Sequence, residues 1–464
     1  MTASAAIRRA APPDAMHAPA TWPWIAAAAA VLVAGIAAAL IHPLAGAAAL
    51  ALPLLPVLVL APDLALLGLT AILPFDGVAS LVDAHTLSLT RLLGLPVLAG
   101  WILWLLVHRE RIRLGRPTLA LLAYVAFAAV SIAWATDTSV TLRGLRTLAQ
   151  LFLLAVMASN VFTSWERLAR MLDVLLAGTA VLGVLTLVQL GPGAGRATLS
   201  YGEQVFQPNA LAAALAVPAL AALALRARTG PLGAWRLAAL VPIVPALIAT
   251  GSRGGMLSLA VGVGIIAWCR PRLGVRTAAA TAAVLLVAAF VLPADVVTRA
   301  EDRWAGAAED RLSGRLDIWR VGIAMVADRP LQGTGFFGFR DAFYEYMLET
   351  PVDPHFALVH NRGNRAAHNV YLATVAELGL AGGTLLVVAL GAHARLLWQL
   401  RRAAQRVGND AADDVATALL AMVGAIIVAG AGTDLLLTKT PWLLLGSAQG
   451  AAFAAGWFAR SEAA

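Results

Sequence analysis

Long apolar runs, each closed by a proline, a glycine or a charged cluster, follow one another along most of the chain. They occupy residues 24–41, 44–60, 64–80, 91–107, 117–135, 144–161, 168–190, 208–225, 235–250, 254–269, 276–292, 369–398, 415–434 and 440–459. Crossing a bilayer as helix takes about 20 mostly apolar residues, and a helix satisfies its own backbone polar groups on the way. The pattern predicts an all-α polytopic membrane protein with 12 to 14 spans. The lower figure applies if Pro53, Pro56 and Pro62 make the second and third runs short or re-entrant. One stretch breaks the rhythm. Residues 293–367 are polar, with a helical pattern at 315–328 (Ile318, Trp319, Ile323 and Met325 against charged neighbours) ended by Pro330 and Gly333–Thr334–Gly335. Three parts follow: a membrane bundle over 1–292, a large external loop over 293–367 and terminal spans over 368–464.

Counting spans forward from Arg8 and Arg9 places every short basic loop on one side. Arg109, Arg111, Arg113 and Arg116 fall there, then Arg226 and Arg228. So do Arg270, Arg272 and Arg276, then Arg395, Arg401, Arg402 and Arg406, and finally Arg460. The positive-inside rule makes that side cytoplasmic, with both termini on it. Residues 191–207, the turn Gly251–Ser252–Arg253 and the 293–367 loop are then external. No cleavage pattern follows the weakly polar first 20 residues, so no cleaved signal is expected.

Composition agrees: of 464 residues, 60% are apolar and 13% charged, and the mean hydropathy is +0.79. Soluble chains run about 45–50% apolar and 25% charged, so a soluble enzyme, a disordered chain and a collagen-like repeat are excluded. The net charge of +8 reflects the cytoplasmic loops and does not point to nucleic acid. Cys269 stands alone, and no Cys/His spacing reads as a zinc site.

Candidate chemistry gathers at external span ends, because ionisable groups at the membrane are costly and tend to mark function. Arg196 precedes Tyr201, Gln207, Pro208 and Asn209. Arg253 lies in Ser252–Arg253–Gly254–Gly255, where glycines allow close approach and a guanidinium suits bidentate capture of phosphate. Arg365–Ala366–Ala367–His368–Asn369 precedes a long span, and a helix N-terminus disfavours imidazolium, which leaves a neutral ring able to accept a proton. Ser313–Gly314–Arg315 opens the loop helix. Arg91, Arg143 and Arg146 begin spans from outside and either hold a lipid pyrophosphate or anchor helices. His355 and His360 share the large loop and are held in reserve. Glu309–Asp310 reads as a solvated pair, so no metal and no cofactor is expected. A transporter would place ionisable groups deep in its spans, where Asp173, Glu377 and Asp434 are the main examples.

The run Ser313–Gly314–Arg315–Leu316–Asp317–Ile318–Trp319, followed by Asp328–Arg329–Pro330–Leu331–Gln332–Gly333–Thr334–Gly335, resembles the loop signature of the O-antigen ligase and polymerase superfamily. So do His368–Asn369–Val370–Tyr371–Leu372 with Gly379–Leu380–Ala381–Gly382 beyond it, the pair Arg253 and Leu257, and Phe206–Gln207–Pro208–Asn209 after Arg196. The likeness covers roughly residues 140–400.

The resemblance implies an inverting, metal-independent glycosyltransferase of the GT-C type. Its donor would be a glycan linked to undecaprenyl diphosphate and its acceptor lipid A–core, in the bilayer of a bacterial inner membrane with a periplasmic site. Carried onto this chain, Arg196 and Arg253 would bind the diphosphate and His368 would act as base. Arg315, Asn369, Arg365, Asn209, Trp319 and Arg146 would support diphosphate and glycan. One dominant loop and no added C-terminal domain favour a ligase over a polymerase or a protein-directed transferase. A non-catalytic lipid or glycan transporter is the reading from another class.

Overall fold

The computed structural model describes residues 60–76, 89–190, 196–201, 204–225, 231–270, 314–353, 356–357 and 365–456. The expected spans at 24–41 and 276–292, most of 44–60, and residues Ser313, Glu309, Asp310, His355 and His360 lie outside these, as do the arginines at 8, 9, 226, 228, 272, 276 and 460 and the side chain of Arg91.

The described chain is helical almost throughout. First come α1 (Pro62–Ile72), α2 (Leu89–His108), α3 (Arg116–Val130), α4 (Thr138–Val161) and α5 (Trp165–Val188). A hairpin of β1 (Leu199–Tyr201) and β2 (Gln204–Phe206) pairs antiparallel, with Leu199 opposite Phe206. Next are α6 (Pro208–Ala224), α7 (Pro231–Ala238), α8 (Leu240–Ala249) and α9 (Arg253–Cys269). The large polar loop, expected to be external, contributes α10 (Arg315–Asp328) and α11 (Phe339–Glu349). The chain continues through α12 (Val370–Arg406), α13 (Asp410–Gly430) and α14 (Lys439–Ala454). Five helices are long and apolar enough to cross a membrane, and shorter apolar helices accompany them. The polytopic all-α reading holds. The expected span at 235–250 holds α7 and α8, which run on as one apolar helix over Gly233–Ala249 with helical backbone at Ala239 between them. The span at 144–161 starts earlier, at Thr138, because the Asp137 carboxylate accepts from the Ser139 and Val140 N–H groups.

Helix ends follow the same logic elsewhere. Ser164, Ser252, Asn369 and Asn409 each cap a helix with a side-chain oxygen, satisfying N–H groups that lack intrahelical partners. One large apolar core joins the bundle, where α4 packs on α14, α9 on α13, and α12 on α13 and α3. A second, smaller core lies within the external loop. Ile318, Val321 and Met325 of α10 pack there with Phe339, Phe343 and Met347 of α11, and Ala367 and Ala376 close it from below.

The join between loop and bundle is specific. Helix α12, expected as one span, is broken at Gly379, which has φ 64° and ψ −174°. The break leaves carbonyls of the preceding turn without their usual partners. The loop supplies replacements: Thr334 N–H donates to Ala376 O at 3.0 Å and Gly335 N–H to Glu377 O at 2.9 Å. In return Leu380 N–H donates to Pro330 O at 2.8 Å. The same loop is held from its other side, by Thr136 N–H on Thr334 O, Phe336 N–H on Ser131 Oγ and Trp134 Nε1–H on Gln332 O. The motif glycines are therefore a crossing of two backbones. A β-carbon on Gly379 would overlap the Leu331 carbonyl, and one on Gly333 would overlap Glu377.

At the opposite end of α9, α12 and α13 the arginines are paired. Arg270 contacts Asp413 at 2.9 Å and also Asp414, and Arg401 lies 3.5 Å from Asp413, with all four side chains nearly buried. Two arginines from the expected cytoplasmic loops thus lock three helices together.

Gly379→Ala is expected to cost at least about 1–3 kcal/mol, the usual toll of a strained backbone position, and to lower the melting temperature in detergent. Gly391→Ala, on the same helix with nothing within 4 Å of its β-carbon, is expected to be neutral or stabilising. Equal melting temperatures for the two variants would refute the crossing as a structural requirement.

Candidate active site

Four helices present their first residues to one place. Arg253 is the first residue of α9, fixed by the Ser252 hydroxyl accepting from Gly255 N–H at 3.3 Å. Arg315 is the first residue of α10, entered through Gly314 at φ 75°. Arg340 is the second residue of α11. His368 precedes the Asn369 cap of α12 and has φ 49°, in the left-handed region. Helix N-termini carry partial positive charge and unpaired N–H groups, so their convergence makes an anion-attracting place.

His368 and Asp434 are the centre of it. Nδ1 of His368 lies 3.6 Å from a carboxylate oxygen of Asp434, with the imidazole about half exposed and the carboxylate mostly covered. The Asp434 carboxylate also accepts the His368 backbone N–H. Burial pulls the imidazole below its ordinary pKa. Asp434 pulls it back up, and Arg315, Arg340 and Arg365 push it down again. Burial likewise raises the Asp434 carboxyl, against His368, Arg340 and Arg315, which lower it. Arg315 is lowered, first by burial, then by Arg253 beside it, while Asp434 opposes. Electrostatic coupling thus links Arg253 to Arg315, Arg315 to His368 and Asp434, and Arg340 to the same pair. The structure thereby joins three groups that lie apart in the sequence, those at Arg253, Arg315 and His368.

Arg196 and Asn209 meet them through the turn before Arg253. Arg196 donates from Nε to Thr250 O at 2.7 Å and from its guanidinium to Asn209 Oδ1 at 2.9 Å. Ala197 N–H donates to Ala249 O. The β1–β2 hairpin that follows is held by Gln189, whose amide accepts from and donates to the Ser200 backbone.

The remaining candidates are placed differently. Asn369 Oδ1 is committed to Tyr371 N–H and Leu372 N–H, so it shapes the turn under His368. Trp319 is half-buried and donates Nε1–H to Ala367 O at 3.1 Å, tying α10 to the same turn. Arg365 is half-buried and acts electrostatically on His368. Arg146 is exposed on α4, and among the described residues no hydrogen bond or ion pair links it to this group.

Three residues here were not singled out as site residues by sequence. Asp434, taken as a charge inside a span, lies in the turn between α13 and α14. The run Gly430–Ala431–Gly432–Thr433 before it was the available signal. Glu377 accepts the N–H groups of Phe337 at 2.9 Å and Phe339 at 3.2 Å, so it pins the start of α11. Arg340, on that start, follows the glycine-rich run by five residues and had no signal of its own. Among the described residues no group of three or more His, Cys, Asp or Glu side chains is placed to hold a metal ion.

Residues 237–388 match the family model described as O-antigen ligase. The matched segment holds Arg253, Arg315, Trp319, Arg340, Arg365, His368, Asn369 and Glu377, while Arg146, Arg196, Asn209 and Asp434 lie beyond it. The resemblance seen in the sequence is thereby confirmed over that segment. No curated protein matches the chain.

The His368 ring, followed by NMR titration, is expected to titrate below the ordinary value of about 6.5. Asp434→Asn removes the neighbour that favours imidazolium and is expected to move the midpoint to still lower pH. A shift to higher pH in that variant would show that the carboxylate does not face the ring as an anion.

Proposed function

With an O-antigen ligase domain at residues 237–388 as the premise, we propose that the protein transfers a glycan from a polyprenyl diphosphate to an acceptor hydroxyl. The observation that carries this reading is the row of Arg253 and Arg315 leading to a His368–Asp434 pair at converging helix N-termini. The leaving group is a diphosphate, whose negative charge grows as its bond to the sugar breaks. Fixed positive charge aimed at that position lowers the barrier. Arg253 and Arg315 supply it, and Arg196, bound to the neighbouring turn, adds to it.

His368 supplies the other half. In its neutral form it accepts the proton of the acceptor hydroxyl. The oxygen attacks the anomeric carbon from the face opposite the diphosphate, the carbon–oxygen bond to the diphosphate breaks, and the diphosphate leaves with the electron pair. Configuration inverts in the single displacement. Asp434 faces the imidazolium that forms and steadies its charge.

The lipid part of the donor also finds a match. An apolar groove lined by Leu95, Leu98, Leu151, Leu154 and Met157 shares Leu437 with the cavity beside His368. Its rim carries Lys439, the sole lysine of the chain, which pairs with Asp76, and Thr90 bonds to the same carboxylate. We assign the groove to the isoprenoid chain. The acceptor we propose is lipid A–core, with undecaprenyl diphosphate as the carrier and the external face of the inner membrane as the place of reaction.

The test uses purified protein with an undecaprenyl-diphosphate glycan, with and without lipid A–core. Glycosylated lipid A–core is the expected product. Longer lipid-linked chains made without that acceptor would replace the ligase reading with a polymerase. Donor binding without transfer to either would favour a transporter. His368→Ala is expected to lower transfer by about 10²–10⁴-fold. Arg253→Lys, which keeps the charge and loses the bidentate fork, is expected to be strongly impaired. Full activity in either variant would remove that residue from the role assigned to it.

A further inference from the structure

The positive groups of this site are not equivalent. Arg253, Arg315, Arg196 and Arg365 do not line the cavity next to His368, and neither does the imidazole itself, whereas Arg340 does, together with Asp434, Glu377, Thr374, Phe337 and Tyr124. The chain on both sides of His368 also lines it, through Ala366, Ala367 and Val370. Its enclosed space is about 60 Å³ and it opens widely to the surface, so a ring is received at its mouth rather than enclosed. The one guanidinium is matched by the Asp434 carboxylate, and both oxygens of Glu377 are taken by backbone N–H groups, so the lining does not gather the several cations of a second diphosphate site. Hydroxyl-rich, uncharged rings suit it. Carboxylates accept from hydroxyls, a guanidinium donates to them, and aromatic walls take the C–H face of a ring. Arg340 is exposed and forms no hydrogen bond or ion pair among the described residues, which leaves its donors for a ligand.

We propose that this cavity is the acceptor-sugar subsite, taking a neutral pyranose ring whose reactive hydroxyl meets His368 while Arg340 and Asp434 bind its neighbouring hydroxyls. The inference rests on the transfer reading above and deepens it by separating the two substrates. The donor's diphosphate lies with Arg253 and Arg315, the acceptor ring lies with Arg340, and His368 stands between them. Glu377 is a positioning residue, since it acts through the Phe337 and Phe339 N–H groups that set the start of α11.

The experiment titrates each substrate separately with the full-length protein in lipid nanodiscs, using undecaprenyl-diphosphate glycan and lipid A–core. Arg340→Gln is expected to raise the acceptor KM about 10- to 100-fold, the range for losing a hydrogen bond from a charged donor, with the donor KM within twofold of wild type. Ala373→Leu, which fills the cavity from α12, is expected to do the same. Arg340 is exposed, so its variant keeps the proposal testable if Ala373→Leu does not fold. A second readout needs no turnover: binding of core oligosaccharide freed of lipid, by saturation-transfer NMR, is expected for wild type and lost in Arg340→Gln. A raised donor KM with unchanged acceptor KM would overturn the assignment, as would oligosaccharide binding that ignores both variants. If wild type transfers nothing yet binds the oligosaccharide through Arg340, the transfer reading fails while the sugar cavity stands.

Discussion

The arrangement depends on one crossing of two backbones. Where Gly379 breaks α12, the turn before it has carbonyl groups without intrahelical donors, and the loop from Pro330 to Phe339 provides them. A buried carbonyl left unpaired is costly, so neither the helix break nor the loop path is stable without the other. Much of the proposed site is held by this junction. Glu377, one residue from Ala376 and two from Gly379, caps the entry to α11 and thereby sets Arg340. The small core of the loop rests on Ala376 and Ala367 and carries Trp319, whose indole N–H holds the turn before His368. A change at the crossing therefore reaches Arg340, Arg315 and His368 at once.

The electrostatics of the site carry a built-in cost. Four helix N-termini and the side chains of Arg253, Arg315, Arg340 and Arg365 face one another, and Asp434 is the carboxylate that meets His368. Repulsion among like charges destabilises the empty site. In the proposed reading, a diphosphate would neutralise it on arrival, and more strongly as the leaving group gains charge. The same field suits the base role proposed for His368: its partial burial and the cations around it disfavour imidazolium, which leaves the ring free to accept a proton. Asp434 limits that effect, keeping the imidazole basic enough to take the proton once the hydroxyl begins to attack.

How much of this was legible in the sequence follows from which interactions are local. The apolar runs read as helices because burial and backbone pairing act within about 20 residues, and Pro208, Ser252 and Asn369 mark starts by cap chemistry alone. Arg253 and His368 were legible as span-end residues, since a charge at a membrane boundary stands out against 60% apolar composition, and Arg315 as the start of the loop helix. The break at Gly379 was not. A glycine inside an apolar run is usually a plain helix position, and only contact with residues some 45 positions earlier reveals its left-handed conformation. Asp434 and Arg340 were missed for the same reason, because each gains meaning from partners in other segments.

Site and frame are joined by three helices that bear load at both ends. Helix α9 begins at Arg253, α12 begins just after His368, and α13 ends just before Asp434. Their far ends meet in the Arg270, Arg401, Asp413 and Asp414 cluster, where Arg270 also bonds the Ala224 carbonyl at the end of α6. Breaking a buried ion pair strands a charge and is far more costly than the pair's net worth, so the cluster disfavours sliding of one helix past another. A helix is stiff along its axis, so fixing the far ends of α9 and α13 helps to fix the heights of Arg253 and of the turn that carries Asp434. Helix α12 is interrupted at Gly379, so the cluster holds its far part while the loop crossing holds the turns next to His368. Arg315 and Arg340, which ride on the large loop, are held through the Gly379 crossing. In the proposed reading, one diphosphate ligand, Arg253, belongs to the frame, while Arg315 and the sugar-binding Arg340 belong to the loop that the crossing positions together with His368.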